Sequence, residues 1–297
     1  MPNKKRIQAN KTKKTVPKRQ LDISSSFKII KQSQVFLWKY RKFWSIFLLI
    51  YLVVDLIFVK GLSSNLNVAS LQNEFSKVFN GSSSKVSAGV SVFLVLLNSN
   101  SSSVGGSSSI GFFLFIFASM AIIWSLDKFK NSNQVRVKDA IYKGIYPVIP
   151  FLLTIFYIAV QLLPITIGSL VYSTVKNNGI AVGAAEQFFW LIFFILTAVW
   201  SLYMISSSLF SPFFVVLDNK NPVEAIRTSA RLVKGIRLKI MGRFLVMIAA
   251  LVLAILIIMV IVILLVANTA SWLFFIISVL IMPVIISYIY HLYLEIK

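Results

Sequence analysis

Long apolar runs constrain the fold of this chain more than any other feature. A helix that crosses roughly 30 Å of hydrocarbon needs about 20 mostly apolar residues, because each residue adds about 1.5 Å. Six segments of this kind occur, the first of them short: residues 43–59, 110–126, 147–175, 188–217, 244–267 and 272–294. The sequence therefore predicts an all-α membrane protein with six transmembrane helices.

Composition indicates that lipid is the main solvent of this fold. Of the 297 residues, 58% are hydrophobic and 13% are charged, whereas soluble domains have roughly 45–50% apolar and about 25% charged residues. The chain contains no cysteine, which excludes disulfide scaffolds, thiolate metal sites and cysteine nucleophiles. The net charge of +21 is confined to a few blocks, so we expect no specific nucleic-acid binding.

The positions of Lys and Arg predict the orientation of the spans. Basic flanking segments stay in the cytoplasm, and the six-span arrangement places 26 of the 30 basic residues on one side. The four on the other side are Lys60, Lys77, Lys85 and Lys176. We therefore expect a multi-pass protein of the plasma (inner) membrane with both termini in the cytoplasm.

Two polar segments flank the first span. Residues 1–20 are Lys-rich without periodicity and are predicted to be a disordered cytoplasmic tail, with residues 21–297 forming the membrane domain. A topological charge block explains this tail, and a contact with anionic lipid or RNA stays open. The Ser-rich stretch 60–109 is predicted to be an external loop, within which the apolar run 86–97 is too short to cross. A seventh span there would move the basic residues around Arg227 outside and is rejected.

The segment after the fourth span has the pattern of a basic amphipathic helix. Asn221 is a good N-cap, Pro222 suits the first helical position, and Glu224 favours the positive end of the helix dipole. Apolar residues then recur at three- and four-residue steps as far as residue 240. The basic residues on the adjacent face are Arg227, Arg231 and Lys234. We expect one interfacial helix over 222–240 whose basic residues bind lipid headgroups.

Weaker versions of this unit precede two other spans. Asp139-Ala140-Ile141 parallels Glu224-Ala225-Ile226, and Ile30, Lys31 and Ser33 fall where Ile226, Arg227 and Ser229 fall. The chain is therefore interpreted as three tandem repeats of interfacial helix, span, outer loop and span.

A family resemblance is carried by the residues around this helix. Residues 211–218 (SPFFVVLD) and 222–235 (PVEAIRTSARLVKG) resemble the signature loop of a group of bacterial membrane proteins. The group comprises the membrane domain of glycerophosphoryl diester phosphodiesterases and the related YciC-like membrane proteins. The resemblance implies a six-helix fold embedded in the membrane. It does not imply phosphodiesterase activity, because in that family the chemistry belongs to a separate soluble barrel domain, which we do not find in this sequence.

Residues that could carry chemistry are few. The intramembrane polar candidates are Asp55, Gln161 and His291, and helix packing or an interfacial position explains each more simply than a reaction does. His291 and Glu295 share a helix face, yet no further ligand for a metal is evident. No phosphate-binding loop, zinc-protease motif or nucleophile elbow is found. We therefore predict neither a catalytic residue nor a cofactor or metal.

The favoured function is that of a non-enzymatic protein that organises anionic membrane lipids or assists partner membrane proteins through its basic amphipathic helices. The alternative is a transporter or channel-like permease that uses Asp55 and the third span, in which Pro150, Pro164 and Gly168 predict a kink. A third hypothesis, an intramembrane enzyme, depends on His291.

Overall fold

The computed structural model describes residues 24–60, 106–131, 135–179, 183–265 and 270–297, and every regular element in these ranges is a helix. The predicted tail 1–20 and most of the predicted loop 60–109, including residues 86–97, lie outside the described residues. The helices are α1 (Ser26–Lys39), α2 (Arg41–Asp55), α3 (Gly106–Asn131), α4 (Val137–Gly144), α5 (Val148–Gln161), α6 (Leu163–Asn177), α7 (Ala184–Ser208), α8 (Ser211–Asp218), α9 (Pro222–Leu232), α10 (Arg237–Leu265) and α11 (Ala270–Ile296). A π-helical segment, Leu56–Lys60, continues α2.

Four of the described helical stretches are long and apolar enough to cross a membrane. They are Ile110–Asn131, Ala184–Asp218, Arg237–Val262 and Trp272–Ile296. The count becomes five if α4 and α5, which are bent by 73° relative to each other, are taken as one broken span. Helices of this length and composition are typical of a membrane protein.

These long helices differ in how much of their apolar surface the protein itself covers. The most apolar windows of α3 and α11 are 50% and 39% buried, whereas those of the α7–α8 stretch and α10 are only 6% and 11% buried. Large side chains such as Trp200 and Leu253 are more than three-fifths exposed. Exposing a continuous apolar surface of this size to water is unfavourable, so the exposed faces of α7 and α10 are better solvated by lipid.

The third predicted span is divided into two helices. α5 ends at Gln161 and α6 begins at Leu163. Pro164 accounts for this break, because its ring removes a backbone N–H and clashes with the carbonyl four residues earlier. The predicted contribution of Pro150 to the kink is not found, since Pro150 lies in the first turn of α5, where proline is tolerated.

The C-terminal ends of α3, α8 and α11 meet at one end of the molecule. We call it the basic end because Lys128, Lys130 and Lys297 lie there. The Tyr290 hydroxyl donates a hydrogen bond of 3.3 Å to Asp127, and Lys297 lies 3.6 Å from Asp218. α8 occupies the centre of this end, where residues 211–216 are all buried, and it packs against α3, α5 and α9. The rings of Phe213 on α8 and Tyr293 on α11 are both buried and stack with their centroids 5.6 Å apart.

The amphipathic helix predicted over 222–240 is shorter in the structure. α9 ends at Leu232, and the chain turns through Gly235, whose φ of 90° suits glycine, before α10 begins at Arg237. The prediction of a single helix over this range is therefore wrong in its C-terminal half. A glycine shortly after the end of a helix is typical of a C-terminal cap, and that local signal outweighs the apolar spacing that continues to residue 240.

Candidate functional site

α9 presents its basic residues on the side away from the protein. Ala225 and Ser229 are fully buried, whereas Arg227 and Arg231 are exposed. Lys234 is also exposed but lies in the turn after α9. The structure thus places the three predicted headgroup-binding residues along one exposed edge, which we call the basic edge (Arg227, Arg231 and Lys234). Their stems can lie along apolar surface while the charged groups reach phosphates.

The start of α9 follows the sequence signals. Asn221 occupies the N-cap position in an extended conformation, and the N–H of Ala225 donates to its carbonyl. No hydrogen bond from the Asn221 side chain caps the helix, so the contribution of this residue is conformational. Ser229 donates a hydrogen bond of 2.7 Å to the carbonyl of Ser207 near the end of α7. This contact holds α9 against the bundle and leaves the basic edge outside.

The three short amphipathic helices dock in the same way. α1, α4 and α9 each bury their fourth and eighth residues, which are Ile29 and Ser33, Ala140 and Gly144, and Ala225 and Ser229. In every case the residue before the helix has an extended backbone. A small residue at the eighth position lets the helix approach its neighbour closely.

The eighth residue of each helix meets a different long helix. Ser33 Oγ lies 3.4 Å from Nδ1 of His291 on α11, and Ser229 bonds to α7. A Cβ atom added to Gly144 would lie 2.9 Å from Cα of Ala121 on α3, which shows how closely these two backbones approach. The three amphipathic helices are therefore distributed around the basic end, with one on each of α11, α3 and α7.

His291 is accordingly placed at a docking contact. Its Nδ1 lies 2.8 Å from the Ser287 carbonyl, and its ring packs edge-on against Phe36 of α1 at 5.4 Å. Glu295 accepts a 3.1 Å hydrogen bond from the backbone N–H of Ser24 and lies 3.9 Å from Arg243. Among the described residues no group of three or more His, Cys, Asp or Glu could hold a metal ion. The predicted pair of His291 and Glu295 therefore lies where α1 packs on α11.

Gln161 is the centre of a buried polar cluster at the break between α5 and α6. It is 4% exposed, and its backbone carbonyl accepts a 2.7 Å hydrogen bond from the Ser201 hydroxyl. Ser208 donates to its side-chain oxygen, and Ser211 donates to the carbonyl of Ser208 at 2.6 Å. These bonds satisfy polar groups where lipid could not.

Asp55 stands apart from the other candidates. It is the last residue of α2, is partly buried, and lies one helical turn after Tyr51. The structure therefore does not bring together the predicted intramembrane residues Asp55, Gln161 and His291, which lie in three different helix contacts.

Sequence reasoning missed the tertiary contacts of the acidic residues at the basic end. Asp127, Asp218 and Glu295 each follow a leucine close to the end of an apolar helix, and each contacts a polar group from a distant part of the chain. The repeated Leu-Asp or Leu-Glu pair was available as a signal in the sequence.

Searches of protein-family models, curated proteins and solved structures found no match to this chain. The resemblance to the phosphodiesterase membrane domain and the YciC-like proteins therefore depends on the residues of the α8–α9 region and stays a prediction.

Proposed function

We propose that this chain is a non-enzymatic protein of the plasma (inner) membrane that organises anionic lipid, or assists partner membrane proteins, through the basic edge of α9. The observation that carries the proposal is the exposure of Arg227 and Arg231 on a helix whose opposite face is buried, and of Lys234 in the turn that follows this helix. A basic residue near an anionic leaflet contributes about 1 kcal/mol to binding. Because α9 is docked on the bundle, these residues are presented together.

The proposal places six spans across the membrane with both termini in the cytoplasm. Besides the four long apolar stretches, α2 and the π-helical segment cover residues 41–60, which corresponds to roughly 30 Å of helical rise. The broken pair α5 and α6 supplies the remaining crossing. The basic residues of α9 then face the cytoplasmic leaflet, as the distribution of positive charge favours.

We further propose that the chain consists of three repeats arranged around a pseudo-threefold axis. The shared docking positions of α1, α4 and α9 support this arrangement. α4 packs on α3 and α9 packs on the α7–α8 stretch, each the second span of the preceding unit, and α1 packs on α11, the last span of the third unit. This closed order is what a ring of three equivalent helix pairs requires. We also propose that the chain belongs with the phosphodiesterase membrane domains and YciC-like proteins, on the resemblance of residues 211–218 and 222–235.

Anionic-lipid retention tests the role of the basic edge. We compare the full chain with the variant Arg227→Gln, Arg231→Gln, Lys234→Gln in nanodiscs of phosphatidylcholine and phosphatidylglycerol, and measure co-purified lipid by native mass spectrometry. We expect phosphatidylglycerol retention to fall roughly tenfold or more. The charge-preserving control Arg227→Lys, Arg231→Lys, Lys234→Arg should retain it. Unchanged retention in the Gln variant would overturn the proposal.

Topology can be tested separately because the chain has no cysteine. Single cysteines introduced by Ser103→Cys and Thr228→Cys should react with impermeant maleimide from opposite sides of the membrane. Labelling from the same side contradicts the six-span arrangement.

A permease is the second candidate, and the polar cluster at the α5–α6 break favours it. Broken helices with polar groups at mid-membrane are a feature of transporter binding sites, and Gln161 with Ser201 and Ser208 forms such a cluster. Solute flux in proteoliposomes that Asp55→Asn or Gln161→Leu abolishes would place this function above the first.

A further inference from the structure

A groove of about 740 Å³ lies between the α1–α2 junction and α11. α2 contributes Arg41, Ser45 and Leu48 to its lining, and α11 contributes the apolar pair Leu280 and Val284. Among the residues that the structure describes, none that lines the groove is acidic. Its volume lies within the roughly 300–1,000 Å³ of pockets that bind small molecules.

The groove has a filled counterpart elsewhere in the molecule. Trp44, Ser45 and Leu48 are the fourth, fifth and eighth residues of α2, and all three line the groove. The fourth, fifth and eighth residues of α10 are Ile240, Met241 and Phe244, and they line a cavity of only about 10 Å³ against α7. Residues at the same three positions of α2 and α10 therefore line an open groove in one case and a closely packed contact in the other.

Side-chain size at two of the three matched positions contributes to this difference. Ser45 and Leu48 of α2 are smaller than Met241 and Phe244, which occupy the same positions of α10, whereas Trp44 is larger than Ile240. Apolar interiors are normally packed without space of this size. The groove is therefore a site where this protein leaves room for an apolar molecule.

The arginines that begin the two helices have different partners. Arg237 of α10 donates a 3.4 Å hydrogen bond to the hydroxyl of Tyr203 on α7 and stacks on its ring at 5.4 Å. Arg41 of α2 stacks at 5.5 Å on Trp38 of the preceding helix, and the facing wall of α11 offers only Leu280, Pro283 and Val284. Arg41 is exposed, so its guanidinium is available at the mouth of the groove.

The chemistry of the lining identifies the class of occupant. Polar and basic groups, Gln34 and Arg41, lie at the α1 end, with Lys39 and Lys42 beside them in sequence. The lining becomes apolar toward Leu48. A phosphate accepts well-oriented hydrogen bonds from arginine, and acyl chains suit an apolar wall. We propose that this groove binds one anionic diacyl glycerophospholipid, with its phosphate at Arg41 and its acyl chains between α2 and α11.

This site rests on the membrane placement of the proposed function but not on the basic edge of α9. The basic edge acts on the lipid surface as a whole, whereas the groove holds a single lipid between helices. The two claims can therefore fail independently.

Photo-crosslinking locates the bound lipid. The full chain is placed in nanodiscs of phosphatidylcholine with a minor fraction of phosphatidylglycerol that carries a photoactivatable diazirine on one acyl chain, and crosslinked peptides are mapped by mass spectrometry. Crosslinks are expected around Leu48 and Leu280. The variant Ser45→Met, Leu48→Phe gives α2 the side chains of the closed contact, and the matched control Val252→Met, Leu253→Phe enlarges two exposed residues of α10.

Filling the groove is expected to lower the crosslink yield at Leu280 roughly tenfold, while the control keeps it. Arg41→Gln should lower the yield for phosphatidylglycerol roughly tenfold without lowering it for a diazirine phosphatidylcholine, and Lys28→Gln, an equal charge change on α1 away from the groove, should have no effect. The Gln variant of the basic edge should leave these crosslinks unchanged.

Three results would overturn the assignment. The first is a crosslink yield that the filled groove does not change. The second is equal crosslinking of phosphatidylcholine with no effect of Arg41→Gln, which means that no anionic headgroup is recognised. The third is that filling the groove removes dimers seen by native mass spectrometry, which would mean that a second copy of the chain occupies the groove.

Circular dichroism and thermal unfolding of each variant identify any loss caused by misfolding. If the Ser45→Met, Leu48→Phe variant misfolds, Leu280→Trp fills the groove from the other wall.

Discussion

The α2–α11 groove and the α7–α10 contact both involve the fourth, fifth and eighth residues of a helix, α2 in the first case and α10 in the second. The groove has a volume of about 740 Å³, whereas the cavity at the α7–α10 contact has only about 10 Å³. At the closed contact Ile240 is fully buried, and Arg237 is bonded to Tyr203 across it. At the groove Trp44, which occupies the position of Ile240, is also buried, whereas Ser45 and Arg41 are exposed. Both contacts lie next to the same kind of amphipathic helix, and the side chains of Ser45 and Leu48 are smaller than those of Met241 and Phe244 at the corresponding positions.

The comparison suggests that closely packed contacts stabilise this fold, whereas open contacts can bind a ligand. A filled contact stabilises the bundle through apolar packing and has no space for a ligand. An open contact contributes less packing and leaves a basic residue without a partner on the facing helix. Truncations at the two places are therefore expected to differ in size and in kind.

Truncating the closed contact is expected to have the largest effect. Ile240→Ala removes a fully buried side chain and should lower the free energy of unfolding by about 2–5 kcal/mol. Leu48→Ala, at the partly open groove, should cost less than about 1.5 kcal/mol, because part of its surface already faces the groove. Unfolding of both variants in detergent with urea or heat measures the difference. Equal losses would break the comparison.

Overfilling the α3–α4 contact is expected to have an intermediate effect. A Cβ atom on Gly144 would meet backbone atoms of Ala121, which cannot move aside cheaply, so Gly144→Ala should destabilise the protein by about 1–3 kcal/mol. The control is Gly242→Ala in α10, where nothing lies within 4 Å of the added atom. It should be neutral or should stabilise the helix by up to about 1 kcal/mol. A tolerated Gly144→Ala would contradict the close approach of the α3 and α4 backbones at this contact.

Removing the two arginines should sharpen the contrast between stability and binding. Arg237→Gln loses the bond to Tyr203 and should cost about 0.5–1.5 kcal/mol of unfolding free energy in detergent. Arg41→Gln should change that value by less than about 0.5 kcal/mol while it lowers phospholipid crosslinking. The opposite pattern, with stability lost at Arg41 and not at Arg237, would contradict the roles given to the two residues.

The smallest effect is expected at the ion pair of the basic end. Lys297 is half-exposed and Asp218 is about a third exposed at a separation of 3.6 Å, so the pair is screened by solvent. Asp218→Asn should lower the unfolding free energy by at most about 1 kcal/mol, and high salt should reduce this cost further. A loss of several kcal/mol would show that α8 depends on this carboxylate as strongly as on its buried aromatic residues.

The sequence determined features that depend on neighbouring residues in the chain. Apolar runs predict the long helices because only a helix satisfies its backbone groups within lipid, and Asn221 with Pro222 predicts the start of α9. Pro164 predicts the break after Gln161, and the positions of Lys and Arg predict an orientation, which stays a prediction. Gly235 also ends α9 locally, and the single helix predicted over 222–240 is wrong beyond Leu232 because this turn outweighs the apolar spacing.

Only the tertiary structure decided which surfaces are covered and which stay open. Nothing in the spacing of α2 shows that α11 leaves space beside Ser45 and Leu48, because the volume of a contact depends on side chains from distant parts of the chain. The burial of Gln161 with Ser208, and of Ser33 beside His291, likewise depends on which helices meet. The sequence therefore determined the helices and their breaks, while the docking positions and the groove came from packing between residues far apart in sequence.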